Sequence, residues 1–66
     1  MEIIINGEQK RFPAPINVAE LLNALKLEPK KIAVERNLEI VPKSLYGKTA
    51  LADGDRIEIV QFVGGG

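Results

Sequence analysis

The chain has 66 residues and no cysteine or histidine, and its nine basic and nine acidic side chains cancel at neutral pH. Disulfides, thiolate or histidine metal sites and an imidazole-activated nucleophile are therefore excluded. The balanced charge argues against a nucleic-acid or anionic-membrane binder, which normally carries a basic excess. With 45% apolar residues, no long apolar run and no leader pattern, we expect one cytoplasmic domain with one core.

The first twelve residues predict a β-hairpin. Residues 1–5 alternate as a strand, with the odd-numbered side chains on one face. Asn6-Gly7 follows and favours a type I′ turn, which needs positive φ at both central positions. The pairs that this turn would place opposite each other are Ile5 with Glu8, Ile3 with Lys10 and Met1 with Phe12.

Residues 16–27 change to a helical period. Asn17 is a favourable N-cap, and Glu20 three residues later completes a capping-box pattern. Pro29 is expected to close the helical region. The apolar stripe on one side of this amphipathic helix consists of Val18, Leu21, Leu22 and Leu25.

The rest of the chain returns to strand character. Residues 30–41 read as strand with a turn around Asn37, residues 42–47 as irregular with a short helical turn, and residues 56–63 as a final strand. A helix across one face of the sheet is the simplest way to bury these patterns. The predicted fold is α+β, a mixed four- to five-stranded sheet with one main helix packed across one face.

Asp53-Gly54-Asp55 precedes the final strand and admits two interpretations. Aspartate and glycine are turn formers, because Asp bonds nearby backbone and Gly accepts positive φ. Paired carboxylates can also perform acid–base chemistry. The turn is the favoured interpretation, and with so few reactive side chains the chain is not expected to be an enzyme.

The final strand presents an apolar surface away from the helix. If Ile57 and Ile59 face the helix, alternation places Val60 and Phe62 on the open face, and Ile4 joins them if the first and last strands are neighbours. Exposed apolar clusters on small proteins often mark partner surfaces. Two competing interpretations are a loop folded over these residues, and a role for Val60 and Phe62 as strand formers only.

Three of the six glycines stand at residues 64–66. Consecutive glycines rarely stabilise a fold, because glycine loses the most conformational freedom on ordering. The segment is therefore either a frayed end or an end that another protein handles. We expect a domain over residues 1–63 and a flexible glycine tail over residues 64–66.

Several features together resemble the ThiS-type sulfur carriers of thiamin biosynthesis, which share the ubiquitin-like β-grasp fold. They are the early Asn-Gly hairpin, the helix VAELLNAL, the stretch AVERNLEIVPKS and the ending LADGDRIEIVQFVGGG. The resemblance covers the whole chain, and it favours the second interpretation of the tail. Many carriers end in two glycines, whereas this chain has three.

The resemblance implies a protein co-substrate with no bound cofactor, a monomer when free. A ThiF-type adenylating enzyme would use ATP to activate the Gly66 carboxylate, with Gly65 and Gly64 as the approach. A sulfur donor, such as a cysteine desulfurase, would then give a thiocarboxylate that supplies a thiazole synthase. The expected docking residues for these partners are Ile4, Val60, Phe62 and Val63.

Three other functions remain open for such a chain. The small subunit of molybdopterin synthase resembles it in fold and thiocarboxylate chemistry, but is usually longer. A ubiquitin-like modifier would be joined to target lysines through its glycine end. A non-covalent β-grasp interaction module would not use the glycines at all.

Overall fold

The computed structural model describes residues 1–62. It contains a five-stranded sheet in the order β2-β1-β5-β3-β4 and one α-helix. β1 runs parallel to β5, and the other neighbouring strands are antiparallel. This arrangement confirms the predicted α+β fold with a mixed sheet. The elements in chain order are β1 (Glu2–Ile5), β2 (Glu8–Arg11), α1 (Val18–Ala24), β3 (Ile32–Arg36), β4 (Glu39–Val41) and β5 (Arg56–Gln61).

The first hairpin has the predicted turn and register. Asn6 and Gly7 have φ values of 49° and 84°, as a type I′ turn requires. Ile5 lies opposite Glu8 and Ile3 opposite Lys10. The Phe12 amide donates to the Met1 carbonyl over 2.9 Å, which continues the hairpin past the last paired strand residue.

Helix α1 begins with the predicted capping box. The Asn17 Oδ1 accepts from the Glu20 amide at 2.8 Å, and the Glu20 carboxylate accepts from the Asn17 amide at 2.9 Å. These bonds satisfy donors that a helix start leaves unpaired. The Asn17 Nδ2 also donates to the Gly47 carbonyl at 3.2 Å, so the cap connects the helix to the 3₁₀ segment Lys43–Lys48.

The helix ends earlier than Pro29 suggested. Lys26 adopts φ 59°, and its amide donates to the Asn23 carbonyl while the Leu27 amide donates to the Leu22 carbonyl. This is the Schellman arrangement, in which a left-handed residue satisfies the last carbonyls of a helix. Leu27 packs against the core. This contact accompanies the end of the helix, even though the left-handed residue is Lys26 and not the usual glycine.

The core lies between α1 and one face of the sheet. α1 contributes Val18, Leu21 and Leu22, all fully buried. Leu25 packs at the edge, as the predicted stripe requires. The other buried apolar side chains are Ile3, Ile5, Ile16, Ile32, Val34, Val41, Tyr46, Leu51 and Ile57.

Two short 3₁₀ segments, Pro29–Lys31 and Lys43–Lys48, flank the β3–β4 hairpin. The first corrects the prediction of a strand from residue 30, because a proline at its start favours a helical turn over a strand. The second is the predicted short helical turn, and it buries Tyr46. No helix in residues 1–62 is long and apolar enough to cross a membrane.

Candidate partner surface

Strand β5 divides its side chains between the core and the open face of the sheet. Ile57 is buried and Ile59 packs against the core, as alternation predicted. Val60 and Phe62 are 58% and 56% exposed. The interpretation of a loop folded over Val60 and Phe62 is therefore wrong for the residues that the structure describes, whereas their exposure does not test a role as strand formers only.

The neighbours of Val60 on β3 extend the open face. Ala33 lies directly opposite Val60, and Glu35 lies directly opposite Glu58. Ala33 is partly exposed, so Ala33, Val60 and Phe62 form an apolar surface next to two carboxylates. We call these three residues the apolar patch.

Phe62 stands at the end of the described chain and is held by two contacts. Its amide donates to the Lys31 carbonyl over 2.8 Å, which continues the β3–β5 pairing by one step. The Lys43 Nζ lies 5.6 Å from the centroid of its ring, within the range of a cation–π interaction. The same Nζ donates to the Lys30 carbonyl at 3.0 Å.

Ile4 shares the open face but not the apolar patch. β1 and β5 are neighbours, as the prediction required, and Ile4 lies opposite Arg56. Val60 is four positions further along β5, or roughly 13 Å at the rise of a strand. Ile4 is also partly buried. The role of Ile4 in docking stays a prediction. Ile4 would extend a partner contact along the sheet without being part of the apolar patch.

Both aspartates of the Asp53-Gly54-Asp55 turn bind backbone. The Asp53 Oδ1 accepts from the Glu2 amide at 2.7 Å. Asp55 is 7% exposed, and its carboxylate accepts from the Ala52 amide at 2.8 Å. These bonds support the turn interpretation over acid–base chemistry.

Two further donors reach Asp55 and fix its charge state. The Arg36 Nε donates at 2.8 Å and the Asn37 Nδ2 at 3.1 Å. Burial alone raises the pKa of a carboxyl, but the bonds from Ala52, Arg36 and Asn37 outweigh it and hold the Asp55 pKa below its ordinary value. Asp55 is therefore an ionised structural group. Within residues 1–62, no three carboxylates lie close enough together to hold a metal ion.

The predicted reactive end lies outside the described residues. Val63, Gly64, Gly65 and Gly66 follow directly after Phe62 in the sequence. Four residues can reach at most about 14 Å from Phe62 when fully extended. The roles of these four residues stay predictions, as does the division into a domain and a flexible tail.

The sequence model of the ThiS family matches residues 3–66 of this chain, which include all three terminal glycines. The chain belongs to the ThiS family. The sulfur carrier protein ThiS of Bacillus subtilis is 51% identical to it over 63 residues, covering 94% of this chain and 96% of that protein.

A solved structure supports the fold of this ThiS-family chain. The crystal structure of the thiamine biosynthesis protein ThiS from Geobacter metallireducens superposes with a TM-score of 0.85 at 35% identity, covering 100% of both chains. The predicted β-grasp fold is thereby confirmed.

Another relative is much longer than this ThiS-family chain. The thiazole synthase of Paramagnetospirillum magneticum is 54% identical over 66 residues. The match covers 100% of this chain but only 20% of that protein. The chain thus spans about a fifth of the length of this relative.

The sequence did not indicate the contacts that hold Phe62. Lys43 is distant in sequence and follows Pro42, in a stretch without strand or helix periodicity. Lys30 and Lys31 were expected in a strand, but they lie in a 3₁₀ turn. The Lys30 carbonyl accepts a hydrogen bond from the Lys43 Nζ, and the Lys31 carbonyl accepts one from the Phe62 amide. No sequence signal pairs these residues, because the contacts depend on the tertiary fold.

Proposed function

We propose that this chain is a sulfur carrier protein of thiamin biosynthesis whose Gly66 carboxylate is the reacting group. The family match that extends through Gly66 is the observation that carries the proposal. The carrier ThiS of Bacillus subtilis, at 51% identity, supports it. The chain is then a co-substrate, and other proteins supply the catalytic groups that its own side chains lack.

The proposed chemistry proceeds in two steps. A Gly66 carboxylate oxygen attacks the α-phosphorus of ATP, which forms an acyl-adenylate and releases pyrophosphate. A sulfide equivalent then attacks the carbonyl carbon, so that a C–S bond forms, the C–O bond to AMP breaks and a thiocarboxylate remains. Adenylation is needed because a carboxylate has no good leaving group, whereas AMP is one. The chemistry requires the Gly66 carboxyl to be a free chain end.

The glycines suit delivery of this end into another active site. A side chain at residues 64–66 would widen the segment and crowd the carbonyl that is attacked, whereas glycine has no Cβ. The reach of about 14 Å from Phe62 matches an active site set a short distance inside a partner. The apolar patch, next to the start of this segment, would dock against the adenylating enzyme, since exposed aromatic residues are frequent anchors of interfaces.

A thiazole synthase is the proposed recipient of the sulfur. The Paramagnetospirillum magneticum relative is a thiazole synthase that contains a segment 54% identical to this chain. Joining two proteins in one chain raises their effective concentration and favours a contact between them. This supports a contact between the present chain and a thiazole synthase, and favours the thiazole pathway over the molybdopterin pathway.

The deciding experiment is an intact-mass measurement. The full chain is incubated with a ThiF-type adenylating enzyme, ATP and sulfide, and the enzyme is first shown to be active on the Bacillus subtilis carrier. The expected product has the mass gain of one oxygen exchanged for one sulfur, mapped to Gly66. A variant with one alanine added after Gly66 is the matched control and should gain nothing at Gly66. An unchanged mass of the wild-type chain would overturn the proposal.

A further inference from the structure

The contacts around Phe62 connect three parts of the chain, two positions before the first of the three terminal glycines in the sequence. Phe62 is exposed on one side, so a ring in this position would normally be free to change rotamer. Here its backbone is fixed by the Lys31 carbonyl, and the Lys43 ammonium lies over its ring. Phe62 therefore has both a backbone bond and a side-chain contact within the chain before any partner binds.

The backbone around Lys43 is held by contacts of its 3₁₀ segment. The 3₁₀ segment that it opens is anchored in the core by Tyr46. The Leu45 amide donates to the Pro42 carbonyl at 2.9 Å, and the Thr49 hydroxyl donates to the Leu45 carbonyl at 2.7 Å. Because the backbone at Lys43 is held, its side chain has a fixed origin from which to reach Phe62.

Two consecutive carbonyls connect Lys43 and Phe62. The Lys43 Nζ donates to the Lys30 carbonyl, and the Phe62 amide donates to the Lys31 carbonyl. The bond to Lys30 restricts the ammonium to a position above the ring. The lysine is therefore engaged within the chain and does not extend as a free charge toward a partner.

We propose that Lys43 is a positioning residue that acts through Phe62. It holds the ring in the orientation in which the apolar patch docks on the adenylating enzyme. This inference rests on the proposed function. Its physical basis is preorganisation, since a side chain fixed in its bound conformation loses less freedom on binding.

The kinetic test separates docking from chemistry. ATP–pyrophosphate exchange is measured with the adenylating enzyme at varied carrier concentration. Lys43→Met keeps the aliphatic stem and removes the charge, and it should raise KM about two- to fivefold, the loss expected for a cation over an exposed ring. The value of kcat should not change. Lys43→Arg should retain the wild-type KM, because a guanidinium can also stack on the ring and donate.

A double-mutant cycle tests whether Lys43 acts through Phe62. In a Phe62→Leu background, Lys43→Met should raise KM no further, because the ring is already absent. Lys48→Ala, at the other end of the same 3₁₀ segment, is the matched lysine control and should leave KM unchanged. If the increases in KM caused by Lys43→Met and Phe62→Leu multiply in the double variant, Lys43 contacts the partner directly and the proposal is overturned.

A measurement on the free protein tests the contact without a partner. The Lys43 Hε protons should show an upfield ring-current shift in the NMR spectrum, and Phe62→Leu should remove it. The absence of this shift in the wild-type chain overturns the proposal. If the wild-type chain is adenylated but the KM effects of Lys43→Met and Phe62→Leu are not coupled, this inference alone is overturned. If the wild-type chain is not adenylated, the proposed function is overturned as well.

Discussion

The Asn6 side chain pairs with the backbone of Ile59, 53 residues away, as if it were one more residue of a strand. Its Oδ1 accepts from the Ile59 amide at 2.8 Å, and its Nδ2 donates to the Ile59 carbonyl at 3.2 Å. β1 ends at Ile5, so the side chain of the turn residue extends the contact between β1 and β5. Asn6 thus serves both the first hairpin and the central parallel pair.

Removing this side-chain pairing should destabilise the chain. Asn6→Asp keeps the size and tolerates the positive φ, but its carboxylate would face the Ile59 carbonyl in place of a donor. We expect the free energy of unfolding to fall by about 1–2 kcal/mol, because a bond is lost and replaced by a contact between two acceptor oxygens. Urea unfolding monitored by circular dichroism measures the change.

Asn6→Gly is the matched variant for the turn. Glycine accepts a φ of 49° without strain, so any loss in this variant comes from the side-chain bonds and from backbone entropy. We expect a loss of about 1 kcal/mol or more. Wild-type stability in both variants would show that the Asn6–Ile59 bonds contribute nothing net.

The second hairpin offers a stabilising change. Asn37 and Leu38 occupy the two turn positions with φ of 51° and 73°, and Leu38 is 85% exposed. A leucine in the left-handed region is strained, and here it gains almost no burial in return. Leu38→Gly should therefore raise the free energy of unfolding by about 0.5–1 kcal/mol, after the entropic cost of glycine is subtracted.

The melting temperature reports the Leu38→Gly effect. About 1 kcal/mol corresponds to roughly 4–8 °C in a domain of this size. Leu38→Ala is the control, since it shortens the side chain but retains the strained backbone, and it should melt with the wild type. A lower melting temperature for Leu38→Gly would show that the exposed leucine contributes to stability.

Asp55 should make the fold sensitive to acid. Its pKa is lower in the folded chain than in the unfolded chain, so the unfolded state binds the proton more readily. The stability that Asp55 contributes is therefore complete above the unfolded pKa, near 4, and is lost as the pH falls through the folded value. We expect the unfolding free energy of the wild type to decline below about pH 4.

Asp55→Asn removes the titrating group and tests the origin of this decline. At pH 7 the variant should be less stable by about 2–3 kcal/mol, because bonds from Ala52, Arg36 and Asn37 to a charged acceptor are weakened. Below pH 4 the difference should narrow. Asp53→Asn, in the same turn, is the control, and a decline of equal size in wild type and Asp55→Asn would place the acid sensitivity elsewhere.

Local signals in the sequence predicted much of this structure. Asn6-Gly7 specifies the first turn, and Asn17 with Glu20 specifies the helix start, because each device acts within a few residues. Lys26 and Leu38 were not anticipated as left-handed positions, since neither residue type favours positive φ. Their conformations are imposed by the tertiary fold, which the packing of Leu27 against the core illustrates.

The sequence likewise predicted one part of the candidate site and could not predict another. Alternation along β5 placed Val60 and Phe62 on the open face, and the structure agrees. Alternation could not give the distance between Ile4 and Val60, because the register of the parallel β1–β5 pair depends on contacts that join opposite ends of the chain. For the same reason, the Lys43–Phe62 contact could not be predicted.

Phe62→Asp tests the proposed docking surface directly. A carboxylate in place of the ring would lose its water in the complex, which is costly even with the Lys43 ammonium nearby, whereas in the free chain it remains in water. We expect kcat/KM for adenylation to fall by at least about 30-fold, the size of an interface hot spot of 2 kcal/mol. The melting temperature should stay close to that of the wild type, because the Phe62 side chain is 56% exposed.

Leu38→Asp is the matched control for this loss. Leu38 is also exposed and apolar, but it lies at the tip of the β3–β4 hairpin and outside the apolar patch. Aspartate tolerates its positive φ, so the variant should fold and be adenylated like the wild type. Equal losses in both variants would point to a general effect of added negative charge. Undiminished adenylation of Phe62→Asp would exclude the patch as the docking surface, and the glycine segment would then have to be recognised without it.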